Sequence, residues 1–387
     1  MSDRPENLDV WVLAGQSNMQ GVGELDAVLA PDERVWSFSS AGRWEIAEEP
    51  LHRLWESFTP VHQNFMRAAL TQDQRNVSNE EIAAREAESR TTGGGLGIAF
   101  GRSMADAVQR PIGLIPAAHG GTSLEQWSTQ LKSEGGHSLY GAMLERIERA
   151  EGVLKGVLWY QGESDALTPE VAPSYGERFA AWVQQLRTDL AREDLPVIVV
   201  QLGRFTSPVE NTPVEKAWDE VRQAQYDLPE TVPHTGVTSA VDLGLVDPIH
   251  INAYGLIRLG KRLARVALAL AEGSVASAGP RVEKIEKIAG LPGYGALKIT
   301  CSGVTEGWQP QDHIAGFAVY NADGSPHAEN RVYNAHPDKA HPSNIILRLN
   351  GEINDGDLIG YARGVNPYCN AVDEADMPLC SFLRRVE

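Results

Sequence analysis

The sequence DVWVLAGQSNMQGVG, residues 9–23, decides the fold and carries the first candidate site. Residues 9–14 are a short apolar run rich in residues that favour β structure, and Gly15 closes it. Such a run predicts a buried strand that ends in a sharp turn. Ser17 follows that turn, where open α/β sheets place their ligands. An ordinary strand-end turn is the alternative, because Ser, Asn and Gly are common turn residues.

Three further apolar runs predict strands beside the first one. They are residues 111–118, 153–160 and 195–203. Apolar residues recur with helical spacing in the ranges 96–109, 139–151, 174–192, 214–227 and 254–272. Continuous apolar strands that alternate with amphipathic helices are typical of βαβ units. The sequence therefore predicts an α/β fold with a mostly parallel sheet.

The chain is predicted to divide into two domains near residues 275–281. Its 387 residues exceed the size at which a single hydrophobic core stops growing, about 250–300 residues. After Gly279 and Pro280 the pattern changes to short alternating runs separated by turn residues, which favours a β-sandwich. We therefore expect an α/β domain over 1–275 and a β-rich ancillary domain over 281–387. The charged stretch 71–95 predicts a partly helical surface insertion in the first domain.

The charge and the cysteine content limit the partners of the protein. The net charge is −18 at pH 7, and such a field repels nucleic-acid backbones and anionic membrane surfaces. We therefore predict no nucleic-acid partner and no membrane partner. Three cysteines provide no disulfide framework, although Cys369 and Cys380 could pair. The first residues lack the basic and apolar regions of a signal peptide, which predicts a cytoplasmic protein unless a leader has been trimmed.

A second candidate group is Asp247-Pro248-Ile249-His250, shortly before the predicted helix 254–272. An aspartate and a histidine three residues apart in one loop can form a hydrogen bond. The carboxylate then fixes the imidazole tautomer and stabilises the imidazolium, as in the acid–base half of a serine-hydrolase triad. The sequence therefore makes His250 a candidate base and Asp247 its candidate partner.

Two more turns follow predicted strands and offer hydrogen-bond donors. His119, Gly120 and Gly121 follow the run 111–118, and adjacent glycines let a backbone aim N–H groups at a ligand. Gln161 follows the run 153–160, and its side-chain amide can donate to an oxyanion. Each turn taken singly is also explained as a simple strand end. Together the four turns are expected at one edge of one sheet, with a nucleophile, a base and oxyanion donors.

These segments resemble the sequence blocks of the SGNH-hydrolase superfamily. The matching blocks are GQSNM at residues 15–19, GGTSLEQW at 120–127, WYQGESD at 159–165 and DPIH at 247–250. More narrowly, they are similar to its sialate O-acetylesterase-like branch, which includes carbohydrate acetylesterases. The similarity continues into the tail at 366–382 and leaves out the insertion. It implies the three-layer, flavodoxin-like parallel sheet of that superfamily with a C-terminal β-rich ancillary domain.

The resemblance implies a role for each residue that matches a block. Ser17 is the implied nucleophile and His250 the implied base, with Asp247 as the third member of the triad. The implied oxyanion donors are the backbone N–H groups of Ser17 and Gly121 and the side chain of Gln161. The implied reaction removes O-acetyl groups from carbohydrates through an acyl-enzyme, and it requires no cofactor or metal.

Several polar and aromatic residues near the blocks are predicted to bind the substrate. They are Gln16, Asn18, His119, Trp127 and Glu163. Packing in the core is an equal alternative for Trp127, Trp159 and Tyr160. Glu163 could instead orient the Gln161 loop or the Ser17 turn. The histidines outside the blocks show no metal-ligand spacing and are predicted to lie on the surface or in loops: His52, His62, His336 and His341.

Three other functions compete with a carbohydrate acetylesterase. Glu163 and Asp165 could form a glycosidase pair, but this requires opposed carboxyl groups about 5–10 Å apart, which one loop rarely provides. The same triad with a different pocket would hydrolyse another small acyl ester. A catalytically idle protein would bind carbohydrate through its β-rich tail.

Overall fold

A computed structural model describes residue 5 and residues 7–72, 74–206, 212–273, 278–329 and 331–387. The predicted boundary at 275–281 falls partly on residues outside these ranges. The α/β part contains these strands: β1 Asp9–Gly15, β2 Gly23–Glu24, β3 Val35–Phe38, β4 Trp44–Ile46, β5 Thr92–Gly94, β6 Ile112–Pro116, β7 Val153–Tyr160, β8 Val197–Gln201 and β9 Thr235–Ser239. Its helices are α1 Ser17–Gln20, α2 Pro60–Ala68, α3 Asn79–Ser89, α4 Gly97–Val108, α5 Leu139–Ala150, α6 Glu163–Ala166, α7 Tyr175–Asp189, α8 Thr212–Thr231 and α9 Ala253–Ala271.

Seven of these strands form one sheet in the order β4-β3-β6-β1-β7-β8-β9. Neighbouring strands in this sheet pair in parallel, except that the edge strand β4 pairs antiparallel with β3. The chain leaves β1 on one side towards β3 and β6 and on the other towards β7, so β1 lies at the point where the strand order reverses. Such a point opens a crevice outside the carboxyl ends of the strands, which is where ligands bind.

Helices cover both faces of this sheet. Every residue of β1, β6, β8 and β9 is buried, which requires cover on both sides because successive side chains point to opposite faces. Helix α4 packs against α9, and α7 packs against α8. The predicted three-layer α/β fold is therefore confirmed.

The chain after residue 278 forms the C-terminal unit, which is built from antiparallel strands. They are β10 Arg281–Lys287, β11 Ala296–Ser302, β12 Trp308–Gln309, β13 Phe317–Tyr320, β14 Val332–Pro337, β15 Ile345–Leu349, β16 Leu358–Tyr361, β17 Val372–Asp373 and β18 Phe382–Arg385. Sheets of four and three strands, in the orders β10-β11-β15-β14 and β13-β16-β18, share one apolar core. The predicted β-rich ancillary part is confirmed. All three cysteines are unpaired and buried.

Three strands of the sheet, β3, β4 and β9, were not predicted from the sequence. The strand β9 has the sequence TGVTS, which is too polar for the apolar run that marks a buried strand. The edge pair β3–β4 is short and lies in a segment for which no strand was predicted. The predicted insertion contains α3 and β5, which agrees with a partly helical segment. Within the described ranges, no helix is long and apolar enough to cross a bilayer.

Candidate active site

The candidate nucleophile sits in a turn that only glycine can start. Gly15 ends β1 with a φ of +129°, and a Cβ atom there would lie 2.1 Å from the carbonyl oxygen of Tyr160. The next N–H group, of Gln16, donates to that same oxygen at 2.8 Å. The chain then enters the short helix α1 at Ser17. The close approach of β1 and β7 thus fixes where Ser17 emerges.

Ser17, His250 and Asp247 form a continuous hydrogen-bonded chain. His250 Nε2 lies 2.9 Å from Ser17 Oγ, and His250 Nδ1 lies 2.6 Å from Asp247 Oδ2. The carboxylate makes Nδ1 the protonated nitrogen, so Nε2 is left to accept the serine proton. The structure therefore brings together the three residues that the sequence proposed as a triad.

Backbone groups also hold Asp247 in its ionised form. Its Oδ1 accepts hydrogen bonds from the N–H groups of Ile249 and His250, at 2.9 and 2.8 Å. Although partial burial acts to raise it, the pKa of Asp247 is lowered by the hydrogen bonds from the His250 ring and from these two N–H groups. A carboxylate at this position favours the imidazolium that forms when His250 takes a proton.

The loop after β6 places Gly120 beside Ser17. A Cβ atom on Gly120 would lie 3.3 Å from Ser17 Cβ, and the N–H of Gly120 donates to Gln20 Oε1 at 2.8 Å. Gly121 is exposed and has a φ of +68°. Among the described residues, the N–H groups of Ser17 and Gly121 have no hydrogen-bond acceptor. Neither N–H group is therefore used by the fold, as the predicted role of oxyanion donor requires.

The structure uses Gln161 differently from the sequence prediction. Its Nε2 donates to the carbonyl oxygen of Thr122 at 3.1 Å and to Asp165 Oδ2 at 2.7 Å. An amide nitrogen carries only two hydrogens, so none is left for an oxyanion. Exchanging the amide oxygen and nitrogen would set the oxygen against the Asp165 carboxylate. In this geometry Gln161 stabilises the 119–122 loop through its hydrogen bond to the Thr122 carbonyl oxygen.

The predicted substrate-binding residues point into the protein. The exposed fractions are 3% for Gln16, 2% for Asn18, 5% for His119, 0% for Trp127 and 2% for Glu163. They connect the site loops to one another and to the core. Trp127 therefore packs in the core, which was the alternative to a role in substrate binding. Trp159 and Tyr160 are fully buried as well and also pack in the core.

Asn18 joins three loops of the site. Its Nδ2 donates to Glu163 Oε1 at 2.8 Å and to the carbonyl oxygen of Ile249 at 3.2 Å. Its Oδ1 accepts from the N–H of Ile251 at 2.9 Å. Burial raises the pKa of the Glu163 carboxyl, and the hydrogen bond from Asn18 opposes that shift. Asn18 and Glu163 therefore tie the Ser17 turn to the His250 loop.

The glycosidase alternative fails on the position of the second carboxylate. Asp165 is buried, pairs with Arg178 at 2.8 Å, and accepts the N–H of Leu124 at 2.8 Å. It faces Arg178, Leu124 and Gln161 in the interior, not a cleft opposite Glu163. This pair cannot flank a glycosidic bond.

A buried histidine pair beneath the glycine loop was missed by sequence reasoning. His62 was expected at the surface or in a loop, but it lies in α2 with 3% of its area exposed. Its Nδ1 lies 3.0 Å from Nδ1 of His119, and the two rings stack. His52 is buried as well, at 6% exposure. No local pattern marks these residues, because their partners are far away in the sequence.

The arrangement is that of the SGNH class of ester hydrolases, with the serine at the carboxyl end of the central strand and the histidine on the last loop of the sheet. The model of a family described as "Carbohydrate esterase, sialic acid-specific acetylesterase" matches residues 7–269. The chain belongs to this family and is a carboxylic ester hydrolase.

Individual relatives agree with the family. A protein of Arabidopsis thaliana named "Probable carbohydrate esterase" is 29% identical over 281 residues, which cover 67% of this chain and 90% of that protein. Human sialate O-acetylesterase is 27% identical over 325 residues, 73% of this chain and 57% of that protein. A crystal structure of a carbohydrate acetylesterase from Xanthomonas citri matches 97% of this chain and 80% of that chain, at 22% identity and a TM-score of 0.67. This last likeness shows that the fold is shared, including its C-terminal part.

Proposed function

We propose that the protein removes O-acetyl groups from carbohydrates, with Ser17 as nucleophile, His250 as base and Asp247 as its partner. The observation that carries the proposal is the hydrogen-bonded chain from Asp247 through His250 to Ser17, with distances of 2.6 and 2.9 Å. The family supplies the expectation that the acyl group is acetyl and that the alcohol belongs to a sugar.

The first half of the reaction acylates the serine. His250 Nε2 takes the proton of Ser17 while Oγ attacks the acetyl carbonyl carbon, and Asp247 stabilises the resulting imidazolium. The carbonyl oxygen becomes an oxyanion that accepts hydrogen bonds from the N–H groups of Ser17 and Gly121. The bond from carbon to the sugar oxygen then breaks, and His250 gives its proton to that oxygen.

The second half releases acetate. A water molecule loses a proton to His250 and attacks the acetyl group on Ser17, passing through a second oxyanion at the same donors. Collapse of this intermediate breaks the bond to Oγ, and His250 returns the proton to Ser17. Every proton transfer uses the same imidazole nitrogen, which explains why its partner Asp247 must fix the ring in one tautomer.

Exposure of the site agrees with a bulky alcohol. Gly121, Asp247 and Pro248 are exposed, while the supporting residues behind them are buried. An acetyl group on a large glycan can therefore approach Ser17 from solvent while the rest of the glycan stays outside.

Acetate release from acetylated xylan, acetylated glucomannan and O-acetylated sialic acid tests the proposal. We expect turnover of at least one of them, and a loss of about 10⁴-fold or more in kcat for Ser17→Ala. Equal acetate release by wild type and Ser17→Ala would remove Ser17 from the mechanism.

Acyl-chain selectivity separates this activity from that of a general esterase. We expect p-nitrophenyl acetate to be hydrolysed faster than the butyrate and octanoate esters. A preference for the longer chains, with no acetate released from any glycan, would favour the alternative of another small-ester hydrolase. No turnover of any ester would favour an idle carbohydrate-binding protein.

A further inference from the structure

A buried arginine fastens the C-terminal unit to the segment that follows β8. Arg222 has no exposed area. Its guanidinium donates to the carbonyl oxygens of Leu202 at 3.0 Å and Gly203 at 2.6 Å, and it also donates to that of Gly364. One side chain therefore ties residues 202–203 of the α/β part to the C-terminal unit.

The same segment reaches the loop of the candidate base. The N–H of Phe205 donates to the carbonyl oxygen of Val365 at 2.8 Å. The N–H of Thr206, one residue later, donates to the carbonyl oxygen of Pro248 at 2.8 Å. Pro248 is two residues before His250. Residues 203–206 thus lie between the C-terminal unit and the His250 loop, and we call this connection the outer anchor.

A second connection, the inner anchor, holds the segment between β9 and His250. Arg262 is 1% exposed and binds both carboxylate oxygens of Asp242 at 2.7 Å. It also donates to Asp376 in the C-terminal unit, at 3.0 Å to Oδ1 and 2.7 Å to the carbonyl oxygen. Arg258 pairs with the same Asp376 carboxylate. Two buried or half-buried carboxylates thus share one arginine across the two parts of the chain.

Hydrogen bonds between its own residues hold the shape of the His250 loop, including those from the N–H groups of Ile249 and His250 to Asp247 Oδ1. Within it the N–H of Val246 donates to the carbonyl oxygen of His250 at 2.9 Å, and the N–H of Asn252 donates to that of Gly244 at 3.0 Å. Residues 246–248 are exposed. A misplacement of a reacting group by about 1 Å can lower a rate about 10²-fold. The internal bonds fix the shape of the loop, but its position relative to Ser17 depends on contacts with other segments, which are those of Asn18 and of the two anchors.

We propose that the C-terminal β unit positions the catalytic base, and that Asp376 is a positioning residue for His250. The unit acts on the chain around the base at two points, through the inner anchor at Asp242 and through the outer anchor at Pro248. This inference rests on the proposed function, because its measure is the turnover of an ester. It assigns the C-terminal unit a part in catalysis without contact to the substrate.

The inner anchor is tested with Asp376→Ala in the full chain, acting on p-nitrophenyl acetate. We expect kcat per active site to fall about tenfold with KM within about twofold of wild type. Asp376→Asn keeps one of the two acceptor oxygens and loses the charge, so its kcat should lie between those of wild type and Asp376→Ala. Asp355→Ala is the matched control, since Asp355 belongs to the same unit, pairs with Lys287 at 3.0 Å and is fully exposed.

The outer anchor is tested with a pair of variants at Thr206. The N–H and the Oγ1 of Thr206 both donate to the carbonyl oxygen of Pro248, at 2.8 and 3.2 Å. Thr206→Pro removes both donors, whereas Thr206→Val removes only the exposed hydroxyl and retains the N–H. We expect a loss in kcat of about tenfold for the proline variant and of less than about twofold for the valine variant.

The outcomes separate this inference from the proposed function. A purely structural role would lower the melting temperature of Asp376→Ala and leave kcat per active site unchanged well below that temperature. Wild-type kcat in both Asp376→Ala and Thr206→Pro would overturn the positioning role while leaving the esterase activity established. Absence of turnover in the wild type would overturn the proposed function and this inference together. If Asp376→Ala does not fold, the kcat values of Asp376→Asn and of the two Thr206 variants test the positioning role instead.

Discussion

The Ser17 turn and the His250 loop are joined by hydrogen bonds of Ser17 and Asn18 but are built in different ways. The turn follows a strand whose seven residues are all buried, with Gly15 against the backbone of β7. The loop carries exposed residues at 246–248 and contains no regular helix or strand there. The sheet thus fixes the proposed nucleophile by packing, whereas hydrogen bonds and ion pairs from neighbouring segments fix the proposed base.

This difference predicts two kinds of sensitivity. On the side of the nucleophile, added volume should be damaging because close-packed backbone cannot move to make room. On the side of the base, the loss of a charge or a donor should reduce activity while leaving most of the fold intact.

The largest effect is expected from volume added at the turn. Gly15→Ala would place a Cβ atom 2.1 Å from the Tyr160 carbonyl oxygen at a φ of +129°. We expect destabilisation of more than about 4 kcal/mol and loss of turnover, measured by urea unfolding and acetate release. Gly293→Ala is the control, because that glycine has a φ of +77° with open space around it and should cost only about 1–2 kcal/mol. Near-native stability of Gly15→Ala would refute the packing argument.

On the side of the base, the next largest effect is expected from Asp247→Asn. The neutral amide cannot stabilise the imidazolium, and we expect kcat to fall by about 10²–10⁴-fold. The side chain of Asp247 is 40% exposed, so the melting temperature should stay close to that of wild type. The check is kcat beside thermal unfolding. An unchanged kcat would remove Asp247 from the triad.

The hydrogen bond between Asn18 and Glu163 can be removed by one substitution and restored by a second. Asn18 Nδ2 now donates to Glu163 Oε1 at 2.8 Å. Asn18→Asp would replace this donor with a second carboxylate oxygen facing Glu163. We expect a loss of about 1–3 kcal/mol in stability, together with lower kcat. Adding Glu163→Gln supplies a donor to the new carboxylate and should recover much of both quantities. Equal defects in the single and double variants would show that Asn18 acts through some other contact.

The smallest difference between a variant and wild type is expected in the pH dependence of stability near the Ser17 turn. Burial lowers the pKa of His119 from 6.5 to about 4 and that of His62 well below 6.5, where the neighbouring cations add to the shift. The unfolded chain therefore binds more protons than the folded chain below pH 6.5. The contribution of His62 and His119 to the free energy of unfolding is therefore full above about pH 6.5. It is lost as the pH falls towards about 4.

For His119 alone this loss is on the order of 3 kcal/mol. Urea unfolding at about pH 7.5 and about pH 4.5 measures it. We expect the difference in unfolding free energy between the two pH values to be smaller in His62→Leu than in wild type, by more than about 1 kcal/mol. An identical difference in both proteins would show that the histidine pair does not cause the acid sensitivity.

The strands that carry the site were predictable because of where they lie. A strand in the middle of a parallel sheet is buried on both faces, so β1, β7 and β8 stand out as apolar runs. Ser17 and His250 were predictable for a related reason, since polar residues that directly follow such runs come to one edge. The polar strand β9 lacks this signal although it is equally buried.

The direction of the side chains was not predictable. Gln16, Asn18 and Glu163 flank the reacting groups in sequence, yet each turns inward to a partner in another loop. Asn18 and Glu163 are 145 residues apart, and nothing near either residue marks the hydrogen bond between them. A sequence block therefore identifies the residues of a site more reliably than it separates those that contact substrate from those that hold the loops.

The separation of Ser17 and His250 by 233 residues also has a consequence for biosynthesis. At about 5–20 residues per second, the ribosome adds the histidine roughly 10–50 s after the serine. Val365 and Asp376, which hold the histidine loop through the two anchors, follow later still. A nascent chain therefore carries the proposed nucleophile long before the residues that are proposed to activate and position its base have been synthesised.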